Sequence, residues 1–537
     1  MPGSVSGNLP RFRGDLLTGD KAALRASRVS GPFQAAPRAY AVPADLDDLR
    51  ALVRWARQEG VALIPRGGGT GMPGGNLGSG AVVDLVPAFS AMDPVDPERR
   101  TIRVGAGAIM DRIQVAAGRF GLRLPAVPAS SPWCTAGGVV ANNAAGPRSF
   151  AHGSIRPRVA ALDGVDARGE PFRLCSPDAY GGGTPSPGRS AEVGGPTSEI
   201  EERIRSLAAE LSSTLAFDPD EGIPSWPRVR KNSSGYALDH LLVHDDPLQL
   251  LIGSEGTLSV VTHVEFRLEP VPEAQGLALV AVPGSPELEA LCRGARRTGA
   301  VTCDFLGRRL VELCRLDQDP ELEPLGTGAY ALALMEVEGS PAGVQAHLQS
   351  LKDLAAQESW PILTTTDPDA LDRLWSLRHR ASPLIAREAG RGRISTQFIE
   401  DSVVPPDALA AYLEGVDRIL ADVRFDGVVF GHAGDGNVHV NPLVDMESDD
   451  WELRVRQALD RTVNLVRELG GTLAGEHGDG RLRAPFLHRI WPEPLVHAFR
   501  QVKETLDPRG TLNPGVILPL PGQDPLEFFL PRPRAFP

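Results

Sequence analysis

Three of the chain's 11 histidines fall in two short turns rich in Gly, Asp and Asn, "GHAGDGNVHVNP" at 431–442 and "GGTLAGEHGDGRLR" at 470–483. The first reads as a strand, a tight turn and a second strand, which stands His432 and His439 on facing arms of a hairpin-like bend. Period-two alternation puts Asn441 on the face of His439, aiming an amide at whatever the histidines bind. The second turn presents Glu476 and His477 side by side, and neighbouring side chains are expected to diverge. Two imidazoles and a carboxylate make a three-donor site with open positions, suited to zinc, manganese or iron. Each histidine alone is more often structural; their concentration in two short turns favours chemistry.

A different chemistry is written into the first half. "IPRGGGTGMPGGNLGSG" at 64–80 follows a strand-like run, and its glycines let consecutive backbone N–H groups converge on an anion such as a diphosphate. It is no Walker loop, because Gly-Lys-Ser/Thr is missing, and it lacks the G-x-G-x-x-G spacing of a Rossmann turn. A second loop, "PAVPASSPWCTAGGVVANNAAG" at 125–146, adds Ser130, Thr135, Gly137, Gly138 and the pair Asn142–Asn143. Two such loops suit a long dinucleotide.

The elements that must hold these residues follow from periodicity. Leu46, Leu49, Leu52, Val53 and Trp55 recur at helical spacing after Pro43-Ala44-Asp45, which predicts an amphipathic helix ended near Gly60. "VALIP" (61–65) and "AVVDL" (81–85) flank the glycine loop as strands. The run 250–272 reads as a buried strand, a tight turn and an edge strand that closes a domain at Pro270 and Pro272. Beyond it, strand-like runs alternate with helices near 286–298, 340–356, 406–422 and 451–469, which predicts an α+β domain with an antiparallel sheet. The expected plan is an arm (1–35), a first domain (36–272, with an exposed Gly/Ser/Pro insertion at about 176–198), a second domain (273–520) and a tail (521–537).

Composition bounds the rest. The chain has 537 residues, 42% apolar and 23% charged, so it folds as a multidomain globular protein rather than a disordered one. Its net charge of −13 disfavours nucleic acid as a partner. Five scattered cysteines without a C-x-x-C pair support no disulfide framework or iron–sulfur cluster and fit a reducing compartment. Neither a signal peptide nor a transmembrane segment is read; the expected location is the cytoplasm, with peripheral membrane docking through a partner left open.

The two glycine loops, with "GSEGTLSVVT" at 253–262, resemble the FAD-binding domain of the vanillyl-alcohol oxidase/PCMH superfamily. The "GHAGDGNVHVN" and "GEHGDG" segments, "LWSLRHRAS" at 374–382 and "LDPRGTLNPGVIL" at 506–518 resemble the FAD-linked D-2-hydroxy acid dehydrogenases, the group of D-lactate dehydrogenase, the flavin-carrying component of glycolate oxidase and D-2-hydroxyglutarate dehydrogenase. The resemblance implies an α+β protein: a PCMH-type FAD-binding domain followed by an α+β FAD-linked oxidase C-terminal (cap) domain. It implies non-covalent FAD against Arg66, Gly67, Gly68, Gly69, Thr70, Gly71, Gly74, Ser130, Thr135, Gly137, Gly138, Asn142, Glu255, Val261 and Asn513. It further implies a divalent metal, Zn or Mn, on His432, His439 and Glu476, with His477 as catalytic base and Arg378 and Asn441 on the substrate carboxylate.

The implied reaction oxidises a small D-2-hydroxy acid to the 2-oxo acid and passes electrons to a separate acceptor: an iron–sulfur protein, an electron-transfer flavoprotein, a quinone or a cytochrome. A homodimer is compatible with it. The chain departs from the hydroxyglutarate enzymes at Ser382, where they have Thr, and lacks their following Lys, for which Arg391 or Arg393 would have to substitute. Rival readings are an alcohol or sugar oxidase of the same fold, a non-catalytic flavin protein of an electron-transfer complex, and a two-His-one-carboxylate iron oxygenase.

Overall fold

The computed structural model describes residues 12–177, 198–389 and 393–529; the expected insertion lies outside the described residues except at its ends, as does Arg391. The helix Leu46–Glu59 begins where the Asp45 side chain accepts from Asp48 N and ends at Gly60, whose φ of 65° is left-handed. Its Leu49, Leu52, Val53 and Ala56 pack on a four-stranded sheet ordered Asp15–Thr18, Ala39–Val42, Ala81–Asp84, Leu63–Arg66. The last three strands run parallel, so the glycine loop is the crossover between Leu63–Arg66 and Ala81–Asp84.

A second, antiparallel sheet orders Thr101–Gly105, Ser259–Arg267, Val159–Asp166 and Pro171–Cys175. Here the run 250–272 departs from expectation. Leu248–Leu251 is one turn of helix rather than a strand, and Ser259–Arg267 is interior to its sheet rather than an edge. Pro270 and Pro272 fix where that strand stops; they carry no information about lateral partners that come from distant sequence.

The second half is built on one antiparallel sheet of eight strands, with Asp304–Gly307, Asp426–His432 and Asn437–Val444 adjacent near one side. Strand Ala274–Val282 explains why its sequence is continuously apolar: Ala278, Val280 and Val282 enter one core, Leu277, Leu279 and Ala281 another. Helices cover both faces, Ser285–Ala295 and Leu409–Asp422 on one, Pro368–His379 on the other.

The first and last of the described residues pack on the body. The stretch expected as an arm pairs Asp15–Thr18 with Ala39–Val42, and Phe33 meets Phe529 edge to face at 5.7 Å. Helix Glu493–Leu506 places Leu495, Phe499 and Val502 in the core of the first half, beside Tyr236 and Phe266. Asn513 N then donates to Leu63 O at 2.8 Å, which lays the C-terminal signature against the strand that feeds the glycine loop.

Candidate active site

Register brings the histidines together. In the Asp426–His432/Asn437–Val444 hairpin, His432 pairs with Asn437 and Phe430 with His439, so the two histidines sit diagonally on one face with ring centroids 5.3 Å apart. A 3₁₀ turn over Ala433–Asp435 and the left-handed Gly436 (φ 71°) close the hairpin. On the neighbouring strand Phe305 pairs with Gly431, which carries Asp304 alongside His432; Asp304 Oδ1 accepts from His432 Nδ1 at 2.7 Å.

Glu476 completes the set. Its Oε1 lies 3.4, 3.3 and 3.4 Å from the Nε2 atoms of His432, His439 and His477. Glu476 and His477 thus converge, against the expectation that neighbours diverge. Their segment is irregular coil between glycines, with Gly478 at φ 84°, and not an extended strand that would alternate its side chains. Each imidazole uses Nδ1 elsewhere: His432 to Asp304, His439 to the Glu400 carbonyl at 2.8 Å, His477 to Glu400 Oε2 at 2.8 Å. Nδ1 therefore carries hydrogen in all three, and three Nε2 positions face one carboxylate oxygen. Such a donor set requires protons or a cation between its members, and the orienting acceptors behind the rings are those of a metal-binding histidine. The residues present fit a divalent cation.

Burial disfavours the His477 imidazolium, but the charges of Glu400 and Asp401 and the bond to Glu400 push its pKa up to about 10. Burial would raise the Glu476 carboxyl; the charges of Lys231 and His432 outweigh it and hold the group well below its ordinary value.

Arg378 lies beside this centre. Its Nε donates to Asp304 Oδ2 at 3.3 Å and its guanidinium covers the Phe430 ring at 4.4 Å, while its terminal nitrogens hold no bond among the described residues. Asn441 shares the His439 face, and its Oδ1 accepts from Gln397 at 3.4 Å. Arg393 pairs with Asp426 at 3.3 Å and Glu388 at 3.9 Å.

The two glycine loops meet each other. A Cβ on Gly67 would lie 2.1 Å from Thr135 Oγ1, and one on Gly68 2.1 Å from Trp133 O, so the missing side chains let the loops approach. Arg66 donates to Arg28 O at 2.9 Å, and Gly69 O accepts from Ser30 N at 3.3 Å. Thr70, Gly71 and Gly74 continue the same crossover, where Gly71 borders Asn76. In the second loop Ser130 O accepts from Cys134 N, and the stretch holding Gly137 and Gly138 is a short helix, Ala136–Ala141, rather than open loop.

Asn76 Oδ1, Thr135 Oγ1 and Asn143 Oδ1 are buried without a partner among the described residues, which fits a polar guest between the loops. Val261 sits in the adjoining strand, opposite Gly164. Glu255 reaches the second half: its carboxylate accepts from Asp479 N at 2.7 Å and Gly480 N at 3.0 Å. Asn513 donates to Gly75 O and Glu255 O, both at 2.8 Å.

Sequence reading missed Asp304, Glu400, Asp401, Arg483 and Lys231. Asp401 Oδ2 accepts from Glu476 N at 3.1 Å and His477 N at 2.8 Å, and Arg483 pairs with Glu400. The adjacent acids in "FIEDSVV", flanked by apolar residues, were a legible signal; Asp304 offered none.

Two glycine-rich loops thus meet in the first half, and a helix-covered antiparallel sheet carries the histidines in the second. A family model described as "FAD binding domain" matches residues 37–174, and one described as "FAD linked oxidases, C-terminal domain" matches residues 271–517. The chain thus resembles an FAD-binding domain over part of its first half and the C-terminal domain of FAD-linked oxidases over most of its second. It is 30% identical over 507 residues to D-2-hydroxyglutarate dehydrogenase of Pseudomonas putida, covering 90% of this chain and 48% of that protein.

With D-lactate dehydrogenase of Archaeoglobus fulgidus it shares 27% over 482 residues (89% and 90% covered), and with the glycolate oxidase protein GlcD of Bacillus subtilis 26% over 495 residues (90% and 89%). The chain spans about half the length of the hydroxyglutarate dehydrogenases of P. putida, Pantoea ananatis and Escherichia coli. In fold it is similar to p-cresol methylhydroxylase (TM-score 0.65, 14% identity, 95% of each chain) and to 4-ethylphenol oxidase from Gulosibacter chungangensis (0.65, 14%, 94% of each). No helix among the described residues is long and apolar enough to cross a membrane.

Proposed function

We propose that this chain is an FAD-dependent, metal-assisted dehydrogenase of a D-2-hydroxy acid of the lactate, glycolate or 2-hydroxyglutarate class, forming the 2-oxo acid. The observation that carries this reading is the convergence of three imidazole Nε2 atoms on Glu476 Oε1, tied through Asn142 to the flavin-type loops. FAD, non-covalently bound, supplies the hydride acceptor at its N5, and a divalent cation (Zn or Mn) held by His432, His439 and Glu476 supplies the Lewis acidity that lowers the pKa of a substrate hydroxyl.

The chain's own residues do the rest. The terminal nitrogens of Arg378 take the substrate carboxylate as a fork, fixed by Asp304 behind and Phe430 beneath, and Asn441 steadies the same end. His477 Nε2 receives the hydroxyl proton while Glu400 holds the ring through Nδ1 and stabilises the imidazolium. Backbone N–H groups of Gly67, Gly68 and Gly69 cradle the diphosphate. Electrons then pass to a separate iron–sulfur protein, electron-transfer flavoprotein, quinone or cytochrome. The location proposed is the cytoplasm, and the assembly a homodimer.

The test is anaerobic bleaching of the flavin by D- and L-lactate, glycolate, malate and D-2-hydroxyglutarate. Reduction by at least one D-2-hydroxy acid in preference to its L-isomer is expected; an oxidised flavin against every member of the panel would sink the reading.

A further inference from the structure

Of the 55 basic residues only four are lysines, at 21, 231, 352 and 503. In a chain that otherwise uses arginine, a buried lysine marks a place where a compact ammonium is needed rather than a planar fork. Lys231 is such a place, with only 4% of its side chain exposed. Its Nζ donates to Glu476 Oε2 at 3.0 Å and Asn437 Oδ1 at 3.3 Å, and lies 3.8 Å from Asp435 Oδ2. Three acceptors from two segments therefore meet one nitrogen.

The lysine is placed by its own neighbours. Ser233 N donates to Ala474 O at 2.9 Å and Ser233 Oγ to Gly475 O at 3.1 Å, strapping 231–233 along the residues that lead into Glu476. Arg230 takes the other side of Asp435, at 3.4 Å from Oδ1. Glu476 is thus split by function: Oε1 faces the imidazoles and Oε2 faces the ammonium.

We propose that Lys231 is a positioning residue of the metal centre, holding Glu476 Oε2 so that the carboxylate offers a cation only Oε1 and leaves coordination positions open for a chelating hydroxy acid. The inference rests on the metal reading given above. A carboxylate free to turn would bind through both oxygens and occupy a position the substrate hydroxyl or carboxylate requires. Lys231 also keeps the carboxylate aimed before any cation arrives, since its ammonium supplies the compensating charge in the buried site.

The test uses the flavin-loaded full chain with Co2+, whose visible absorption reports coordination number, and oxalate as a chelating probe of open positions. In the wild type, Co2+ binds and oxalate perturbs its spectrum. In Lys231→Met the Co2+ spectrum shifts toward higher coordination and at least tenfold more oxalate is needed, while Lys231→Arg recovers the wild-type spectrum in part. If Lys231→Met does not fold, as judged by circular dichroism and flavin content, Lys231→Gln is held to the same criterion. A neutral variant whose Co2+ spectrum and oxalate dependence match the wild type within twofold overturns the role of Lys231 alone. A wild type that binds no Co2+, Zn2+ or Mn2+ overturns the metal reading and this inference with it.

Discussion

The side-chain amide of Asn142 donates to the main-chain carbonyl of His477 at 3.0 Å, across 335 positions of sequence. Asn142 belongs to the second glycine-rich loop and His477 to the Glu476–His477 turn of the other half, so this bond sets one against the other. Glu255, accepting from Asp479 N and Gly480 N, fixes the same turn from a second point. Removing one neutral hydrogen bond costs about 1 kcal/mol. Asn142→Ala is expected to retain its FAD and to slow substrate reduction of the flavin about fivefold, measured by anaerobic stopped flow. An unchanged rate would mean that Glu255 alone positions the turn.

Asp304 serves two groups at once, with Oδ1 on His432 Nδ1 and Oδ2 on Arg378 Nε. Loss of an acceptor behind a metal-binding histidine typically lowers metal affinity by roughly 10- to 100-fold. Asp304→Asn should lose metal to a chelator at concentrations the wild type withstands, followed by elemental analysis after dialysis. It should also raise KM for the hydroxy acid, because the Arg378 fork loses its anchor. A variant that changes KM but not metal retention would assign Asp304 to the substrate side only.

How far this centre could be read from sequence differs by residue. His432, His439 and Asn441 were legible because period-two alternation in a short hairpin is a local rule, and the observed register obeys it. The antiparallel sheet of the second half was legible from strand-like runs alternating with helices, not from period two, since Ala274–Val282 is apolar on both faces. Asp304 was not, because it reaches His432 through a strand pairing between Phe305 and Gly431 that no local pattern encodes. The interior place of Ser259–Arg267 was lost for that reason too: the prolines that end a strand do not name its neighbours. Convergence of Glu476 and His477 escaped a rule that holds for extended backbone and fails in glycine-bounded coil.

The approach of the two glycine loops predicts which glycine tolerates least. At Gly67 the obstructing atom is a hydroxyl that can rotate away, whereas at Gly68 it is the Trp133 carbonyl, which cannot move without its chain. Overpacking of this kind costs about 1–3 kcal/mol, or roughly tenfold in affinity. Gly68→Ala should therefore weaken FAD binding by about that factor, and more than Gly67→Ala does. The ratio of flavin to protein absorbance after gel filtration reads the difference; equal flavin content in the two variants would contradict the geometry.

Glu338 ties the halves together and gives the protein an acid-sensitive contact. It lies on strand Ala331–Gly339 and accepts from Arg123 Nη1 at 2.8 Å and His152 Nε2 at 3.0 Å, with Arg148 at 4.0 Å. Glu269, paired with Arg123 and Arg158, completes the cluster. Burial would raise the Glu338 carboxyl, but the bonds from His152 and Arg123 and the charges of Arg123 and Arg148 pull it down from 4.5 to about 2. A depressed carboxyl contributes stability above its unfolded value of 4.5 and loses it as pH falls toward 2. Discounted for solvent screening, the contribution is about 2 kcal/mol. Glu338→Gln should accordingly lower the thermal midpoint at pH 7. The gap to the wild type should narrow as pH falls below 4.5 and lose more than half its size by pH 3, since the wild-type carboxyl is then giving up the same interaction. A gap as wide at pH 3 as at pH 7 would show that the cluster holds the halves by packing rather than by charge.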